Sequence, residues 1–244
     1  RQMCIRDRNE GYLAKVGEPL IQFYGYKTCG VWNSAEEIAA NPHFSDDAPG
    51  GIRIVDTNND GSLTPEDRVA LGTPYPDFTW GITNTFQIKD FDISFLIQGV
   101  QGITVLNGDV YYNETKKWNK KYTKNRWVSA EHPGDGKTPY QNVKTGHDLM
   151  LTDYPLQNAS YACLRNFTVG YTLPATAARK IKLSGVRFYV SGSNLLYIWG
   201  SGYKGINPES RMTSGNYSST MISGYQRGGF PLTSTISAGF DINF

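Results

Sequence analysis

The sequence has 244 residues with 24 basic and 22 acidic side chains, and its formal net charge of +2 gives no reason to expect a nucleic acid as a partner. Aromatic residues make up 13% of the chain and glycine occurs 26 times, a composition typical of an all-β protein with many turns. No run of about 20 apolar residues occurs, so no transmembrane helix is predicted. The cysteines Cys4, Cys29 and Cys163 have no metal-ligand spacing and predict no disulfide framework.

The first ten residues do not fit the pattern that follows them. Residues 1–8 read RQMCIRDR, and we interpret 1–10 as a non-native or upstream tail. No signal peptide precedes the first regular element, which we take as a sign that the true N-terminus lies further upstream. After this tail, the segment Ser34–Ala40 predicts a short helix and Gly51–Val55 predicts a strand.

The segment Asp56–Asp67 carries the clearest chemical motif of the chain. It reads DTNNDGSLTPED and matches the calcium-loop pattern D-x-[DN]-x-[DN]-G with an acidic residue at position twelve. Gly61 allows the sharp turn at position six, and the shorter Asp67 replaces the usual Glu. The predicted calcium ligands are Asp56, Asn58, Asp60, Ser62 through its carbonyl, Thr64 and Asp67. A polar turn without a metal is the alternative, because Asp, Asn and Gly also dominate ordinary turns.

Five later segments alternate between apolar and polar residues with the period of a β-strand. Each predicts one strand, and most approach ten residues, which is longer than strands of a typical β-sandwich and typical of a transmembrane barrel. The predicted strands are Phe78–Ile88, Asp90–Gln98, Asn166–Leu173, Val186–Ser193 and Ile236–Phe244.

The connections between these strands alternate in length. Lys89 and the segment Pro174–Ser184 form short links, whereas residues 99–165 and 199–230 form long ones. Short turns on one side and long loops on the other are typical of outer-membrane barrels, whose short turns face the periplasm. The pattern therefore predicts C-terminal strands of a large antiparallel transmembrane β-barrel with extracellular loops and a periplasmic C-terminus. It divides the chain into the tail 1–10, an extracellular loop region 11–77 and the barrel strands and loops 78–244.

No arrangement of residues predicts an enzyme. The histidines His43, His132 and His147 lie in no metal-binding or catalytic motif, and no nucleophile elbow or phosphate-binding glycine loop occurs. No catalytic residue is predicted, because no acid, base or nucleophile can be assigned a role.

Several long segments together resemble the C-terminal region of the SusC/RagA family of TonB-dependent outer-membrane transporters. Their order and spacing, as well as their residues, are similar to the family pattern. The segments are Val16–Trp32, Asp56–Phe86, Asp90–Gly99, Leu164–Pro174, Val186–Trp199, Tyr203–Glu209 and Gly239–Phe244.

The resemblance implies a 22-stranded barrel with an N-terminal plug, and transport driven by the TonB complex through an N-terminal part that this chain lacks. It also implies a SusD-like surface lipoprotein as partner, outer-membrane lipid around the barrel, and glycan oligosaccharides or peptides as substrates. The terminal aromatic Phe244 looks like the signal that the barrel-assembly machinery reads. The alternative is a secreted, calcium-stabilised β-domain that binds carbohydrate.

Aromatic residues in the loops are the candidates for ligand contact. Trp118, Trp127 and Tyr203 could stack against a sugar, although aromatic residues are also common at membrane interfaces. Trp80 and Trp199 lie near strand ends, and we interpret them as members of an interfacial belt.

Overall fold

The computed structural model describes residues 11–110, 124–140, 145–200, 202–211 and 224–244. These residues form two compact units. The described residues of the first unit lie within 11–75, 103–158 and 209–229, and those of the second within 76–102, 159–208 and 230–244. The residues 1–10 and Trp118 lie outside the described part of the chain.

The described residues are mostly β-strands, joined by two short α-helices and two short 3₁₀ helices. The helices are α1 (Ala35–Ala39) and α2 (Ala175–Lys180), and the 3₁₀ helices span Pro65–Asp67 and Leu149–Leu151. The strands are β1 (Tyr12–Leu13), β2 (Gln22–Gly25), β3 (Thr28–Val31), β4 (Ile52–Ile54), β5 (Val69–Gly72), β6 (Phe78–Ile88), β7 (Phe91–Gln101), β8 (Thr104–Asn107), β9 (Leu156–Asn158), β10 (Tyr161–Thr172), β11 (Gly185–Trp199), β12 (Tyr225–Gln226) and β13 (Thr235–Asn243). No helix within the described ranges is long and apolar enough to cross a membrane.

The first unit consists of small sheets around two buried clusters. The strands pair as β1-β2-β5, β12-β8-β9 and β3-β4. One cluster contains Phe23, Leu106, Met150 and Tyr225, and the other contains Tyr26, Ile52, Ile54 and Leu63. The segments 103–110 and 145–158, predicted to belong to a long loop, therefore fold together with residues 11–75 around common cores.

The second unit contains one antiparallel sheet with the strand order β13-β11-β10-β7-β6. The five strands predicted from alternation are these five, and the all-β class is confirmed. Each strand lies beside its neighbour in sequence, so the sheet is a meander. Lys89, which has a φ of 55° in the left-handed region, forms the tight turn between β6 and β7.

Two strands extend well beyond their predicted bounds. Strand β10 begins at Tyr161 and strand β11 continues to Trp199. The register shifts between Leu164 and Asn166, where Leu164 faces Leu196 and Asn166 faces Ser193. This irregularity interrupts the simple alternation, which is why the pattern alone did not reveal the continuation of the strands.

The two faces of the five-stranded sheet differ in chemistry. Opposed pairs such as Phe86 with Ile93 and Phe188 with Phe240 lie on one face, which carries exposed apolar side chains. The other face carries a row of polar and small residues in register: Asp92, Gly170, Tyr189 and Gly239. Phe240 is 65% exposed and Ile236 is 73% exposed, so the apolar face is not covered by the described residues.

Candidate functional site

The acidic loop begins with a turn that its first carboxylate stabilises. The two oxygens of Asp56 accept the backbone N–H groups of Asn59 at 2.7 Å and of Gly61 at 2.9 Å. Asn59 and Gly61 have positive φ values of 60° and 84°, a conformation that Asn and Gly tolerate best. The residue types at these positions thus direct the chain into the tight curve expected from the motif.

The next two side chains continue the same pattern. Asn58 accepts the N–H of Asp60 at 2.9 Å, and Asp60 accepts the N–H of Ser62 at 2.8 Å. The amide of Asn58 also donates to the second oxygen of Asp60 at 2.8 Å. These bonds hold the side-chain oxygens of alternate residues along one short curve of backbone.

Asp67 at the end of the loop accepts hydrogen bonds from backbone N–H groups within it. Its side chain is fully buried and accepts the N–H of Thr57 at 2.9 Å through one oxygen and the N–H of Thr64 at 2.8 Å through the other. Burial raises the pKa of this carboxyl, but the hydrogen bonds from Thr64, Thr57 and Asn58 outweigh burial, so the pKa is lowered overall. The carboxylate is therefore ionised at neutral pH and fastens the end of the loop to its beginning.

The fit of a calcium ion to these residues is partial. Asp56, Asn58 and Asp60 supply the oxygen types that calcium prefers, at the expected spacing. Within the described ranges, however, no three acidic, His or Cys side chains are gathered closely enough to hold a metal ion. Asp67 is directed at backbone N–H groups in this conformation, so its role as a metal ligand stays a prediction.

An ion-pair network crosses the polar face of the five-stranded sheet. Arg187 on β11 contacts Asp92 on β7 through two parallel bonds of 3.0 and 2.6 Å, and it contacts Asp241 on β13 at 3.3 Å. Gly170 on β10 lies between the first two, since a Cβ there would overlap the Asp92 carboxylate and lie 2.6 Å from the Arg187 guanidinium. The absent side chain leaves the space through which an arginine reaches across an intervening strand.

A second arginine occupies the irregularity between β10 and β11. Arg165 donates to Gln98 on β7 at 3.3 Å and to Asn194 and Tyr197 on β11 at 2.9 Å each. Asn194 has a φ of 55°, so the backbone of β11 also departs from regular strand geometry here. The irregularity gathers polar groups of three strands on the polar face.

The described aromatic candidates for ligand contact, Trp127 and Tyr203, pack against other side chains of the chain. Trp127 donates its indole N–H to Asn33 at 3.0 Å, and its ring lies 6.2 Å from Tyr140. Tyr203 is 5% exposed, with its ring 6.1 Å from Trp199. Neither ring stands free on a surface, and their contact with a ligand stays a prediction.

The interpretation of Trp199 as part of an interfacial belt stays a prediction. Trp199 lies opposite Tyr161, and its ring is 6.4 Å from Tyr197, whose hydroxyl is bonded to Arg165. Trp199 therefore lies on the polar face, because the irregularity between β10 and β11 separates it from the simple alternation of the strand. The Trp80 ring instead covers Gly99, where a Cβ would overlap the indole.

Phe244, the predicted assembly signal, follows the end of β13 and is 93% exposed.

Sequence reasoning missed the partners of Arg165 and Arg187. The only signals available were Gly170 inside a strand, which indicates a close approach of other groups, and Arg187 at a polar position of the alternation.

Comparison with known proteins identifies the class to which this sheet and loop correspond. No family model matches the sequence. The chain is 31% identical over 239 residues to TonB-dependent receptor P26 of Formosa agariphila. The aligned residues cover 94% of this chain and 23% of that receptor. It is 31% identical over 241 residues to TonB-dependent receptor P3 of the same organism, with 95% and 23% covered. It is also 26% identical to TonB-dependent receptor SusC of Bacteroides thetaiotaomicron over 78% of the chain and 17% of SusC.

Solved structures of RagAB show the same fold. The structure of the RagAB peptide transporter superposes with a TM-score of 0.70 at 19% identity, over 97% of this chain and 24% of that one. The RagAB peptide importer in the closed-closed state gives a TM-score of 0.67 at 19% identity, over 96% and 24%. The all-β fold of this chain therefore matches the fold of about a quarter of the RagAB chain.

The chain is homologous to part of the TonB-dependent receptors of the SusC/RagA type, and the resemblance carried by the sequence motifs is confirmed. It spans 23% of the length of each of the two Formosa agariphila receptors. These relatives are receptors, which confirms that the chain is not an enzyme.

Proposed function

We propose that this chain forms part of the barrel wall of a TonB-dependent outer-membrane transporter that imports oligosaccharides or peptides. One observation supports this most directly: the five-stranded sheet has an apolar face that the described residues leave exposed. Phe78, Ile82 and Phe240 are each more than half exposed on it. In water such a face would aggregate, whereas in a bilayer it contacts hydrocarbon.

The polar face is suited to line the interior of such a barrel. It carries the network of Arg187, Asp92 and Asp241, which would be costly in contact with lipid. The face therefore belongs on the side away from the hydrocarbon. In this arrangement Phe91, Ile93, Phe95 and Ile97 contact lipid, and Asp92 and Ser94 face the interior.

The edges of the sheet support its membership in a larger barrel. Strands β6 and β13 are the outer strands of the sheet, and each pairs with one neighbour only within the described residues. Unpaired backbone groups cannot be left in hydrocarbon, so each edge would pair with a further strand of the longer protein.

The partners follow from the same proposal. A SusD-like surface lipoprotein would cover the barrel from outside, and the TonB complex would act through parts of the protein outside this chain. The structural neighbours are named as the RagAB peptide importer, in the closed-closed and the open-open state. The short links would face the periplasm, and the region 11–77 would face the exterior, as the sequence predicts.

The experiment is deletion of the gene that encodes the full-length protein, followed by growth on single nutrients. Growth on an oligosaccharide or on a peptide mixture should fail and return with the wild-type gene. In outer-membrane fractions the full-length protein should migrate as a heat-modifiable band. Soluble, secreted material without such a band would instead favour the calcium-stabilised carbohydrate-binding domain.

We further propose that the loop Asp56–Asp67 holds a calcium ion on the extracellular side. The oxygens of Asp56, Asn58 and Asp60 and the spacing of the motif support it, and an affinity near 10⁻⁴–10⁻³ M, on the order of other extracellular modules, would suffice there. The ion would bind at these oxygens and rigidify the loop.

Two variants separate the metal from the hydrogen bonds of the loop. Asp60→Asn removes the charge of a predicted ligand but keeps an oxygen that can accept the N–H of Ser62, and it touches no bond to Asp67. It should therefore weaken calcium-dependent protection of the loop from protease and change little without calcium. Asp67→Ala leaves the N–H groups of Thr57 and Thr64 without their acceptor, so it should increase cleavage with or without calcium. Equal cleavage of the wild-type loop in calcium and in chelator would refute the metal and leave the polar turn.

A further inference from the structure

The link between β10 and β11 carries an unusual concentration of positive charge. Residues 173–184 contain Arg179, Lys180 and Lys182 and no acidic residue. All three cations are exposed, and none forms an ion pair with a described residue. Ile181, placed between two of them, is 57% exposed. Exposed cations around an exposed apolar side chain are typical of a segment at a membrane surface.

A shallow apolar groove begins next to this link. It has a volume of about 500 Å³ and runs across β10, β11 and β13 on the apolar face of the sheet. The side chains that line it include Val169, Tyr171, Phe188, Val190, Ala238 and Phe240. The small side chain of Ala238, which lies opposite Val190, leaves a depression between larger neighbours.

The groove and the cations are close along the same strands. Tyr171 lies opposite Phe188, and β10 ends one residue later at Thr172, directly before the link. At about 3.3 Å per residue, the three steps from Tyr171 to Pro174 span on the order of 10 Å. The helix α2, which carries Arg179 and Lys180, begins there. This span is comparable with the separation between the headgroups and the upper acyl carbons of a bilayer leaflet, about 5–10 Å.

We propose that the link and the groove together form a binding site for one anionic glycerophospholipid. The phosphate of the headgroup contacts Arg179, Lys180 and Lys182, and an acyl chain lies in the groove between β10 and β13. This inference rests on the proposed function, because it requires the apolar face to contact lipid. Charge complementarity selects the occupant: a neutral hydrocarbon surface would fill the groove equally well but gives no role to three cations that have no ion-pair partner among the described residues.

The test uses the full-length transporter in nanodiscs of phosphatidylcholine, with phosphatidylglycerol added in steps. Native mass spectrometry after release into mild detergent counts the phospholipids that remain bound. The wild-type protein should retain one phosphatidylglycerol in preference to phosphatidylcholine. The variant R179S/K180S/K182S should lose this preference by about tenfold or more, since each cation near an anionic surface contributes on the order of a fivefold change.

One control variant and one variant of the groove make the result specific. The variant K27S/K124S/K137S removes three exposed cations of the first unit and should retain the lipid as wild type does. Ala238→Phe fills the groove with another apolar side chain and should displace the lipid while the cations remain. Retention by the triple variant of the link equal to that of the control variant would overturn the proposal, as would equal binding of phosphatidylcholine.

The outcomes also separate this inference from the function on which it rests. If the protein forms a heat-modifiable barrel and transports its substrate but retains no anionic lipid, only the lipid site is wrong. If it does not enter the membrane, the proposed function fails with it. Preferential retention of added lipopolysaccharide over phosphatidylglycerol would assign the cations to a different lipid and overturn the glycerophospholipid.

Discussion

The two units of this chain place similar side chains in opposite environments. The first unit buries Trp32, Ile52 and Val105 almost completely, whereas in the second unit Ile236 and Phe240 are more than half exposed. Both units are built from strands, and both contain large apolar residues. Exposure of an apolar strand face is therefore not a defect of folding: it indicates the solvent that the face meets, which for the second unit we propose to be lipid.

The sharpest way to test this comparison is to remove equal apolar side chains from the two units. Ile52→Ala in the first unit should lower the free energy of unfolding by about 2–5 kcal/mol, because Ile52 is 2% exposed and a cavity would remain. Ile236→Ala on the apolar face should cost clearly less, since Ile236 is 73% exposed to the surrounding solvent. The measurement is chemical unfolding of the full-length protein in a lipid environment, followed separately by probes in each unit. Equal losses at both sites would contradict the distinction between a packed core and a lipid-facing surface.

A charge introduced on each face of one strand tests which face contacts lipid. Ile93→Arg should destabilise the full-length protein by about 2–4 kcal/mol if the residue lies near the middle of the bilayer, because arginine is costly in hydrocarbon. Ser94→Arg, one residue further along and on the polar face, should have a mild effect. Folding titrations into lipid vesicles give both values, and the same loss at the two positions would show that the faces are assigned wrongly.

The smallest expected effect concerns the network on the polar face. Gly170→Ala should break the contact of Arg187 with Asp92, because the new methyl group would occupy the space between them. These side chains are about one-third exposed, so the loss should be about 1 kcal/mol. Gly81→Ala on the neighbouring β6 is the matched control, since its Cβ would meet nothing closer than 3.7 Å. If Gly81→Ala and Gly170→Ala reduce stability equally, the effect belongs to strand glycines in general and not to the ion pair.

Alternation predicted the five strands of the second unit because a strand with one apolar and one polar face repeats every two residues. The prediction ended early on β10 and β11, because the insertion around Arg165 and Asn194 breaks this repeat while the hydrogen-bonded pairing continues. The same insertion brings Trp199 onto the polar face beside Tyr197. The motif likewise predicted the turn at Asp56, since Asp, Asn and Gly shape local backbone directly, but it did not predict that Asp67 would be turned toward the N–H groups of Thr57 and Thr64.

The sequence by itself determined what depends on neighbouring residues: the alternating strands, the tight turn at Lys89, the acidic loop and the small helix α1 after Ser34. Tertiary structure alone decided the features that join distant segments. Residues 103–110 and 145–158 fold with 11–75 because Leu106 and Met150 share a buried cluster with Phe23, and no local pattern records such a partner. Arg187 on β11 reaches Asp92 on β7 only because Gly170, on the intervening strand β10, has no side chain to separate them. Local backbone preference acts over a few residues, whereas burial and ion pairing act between whichever segments the fold makes neighbours.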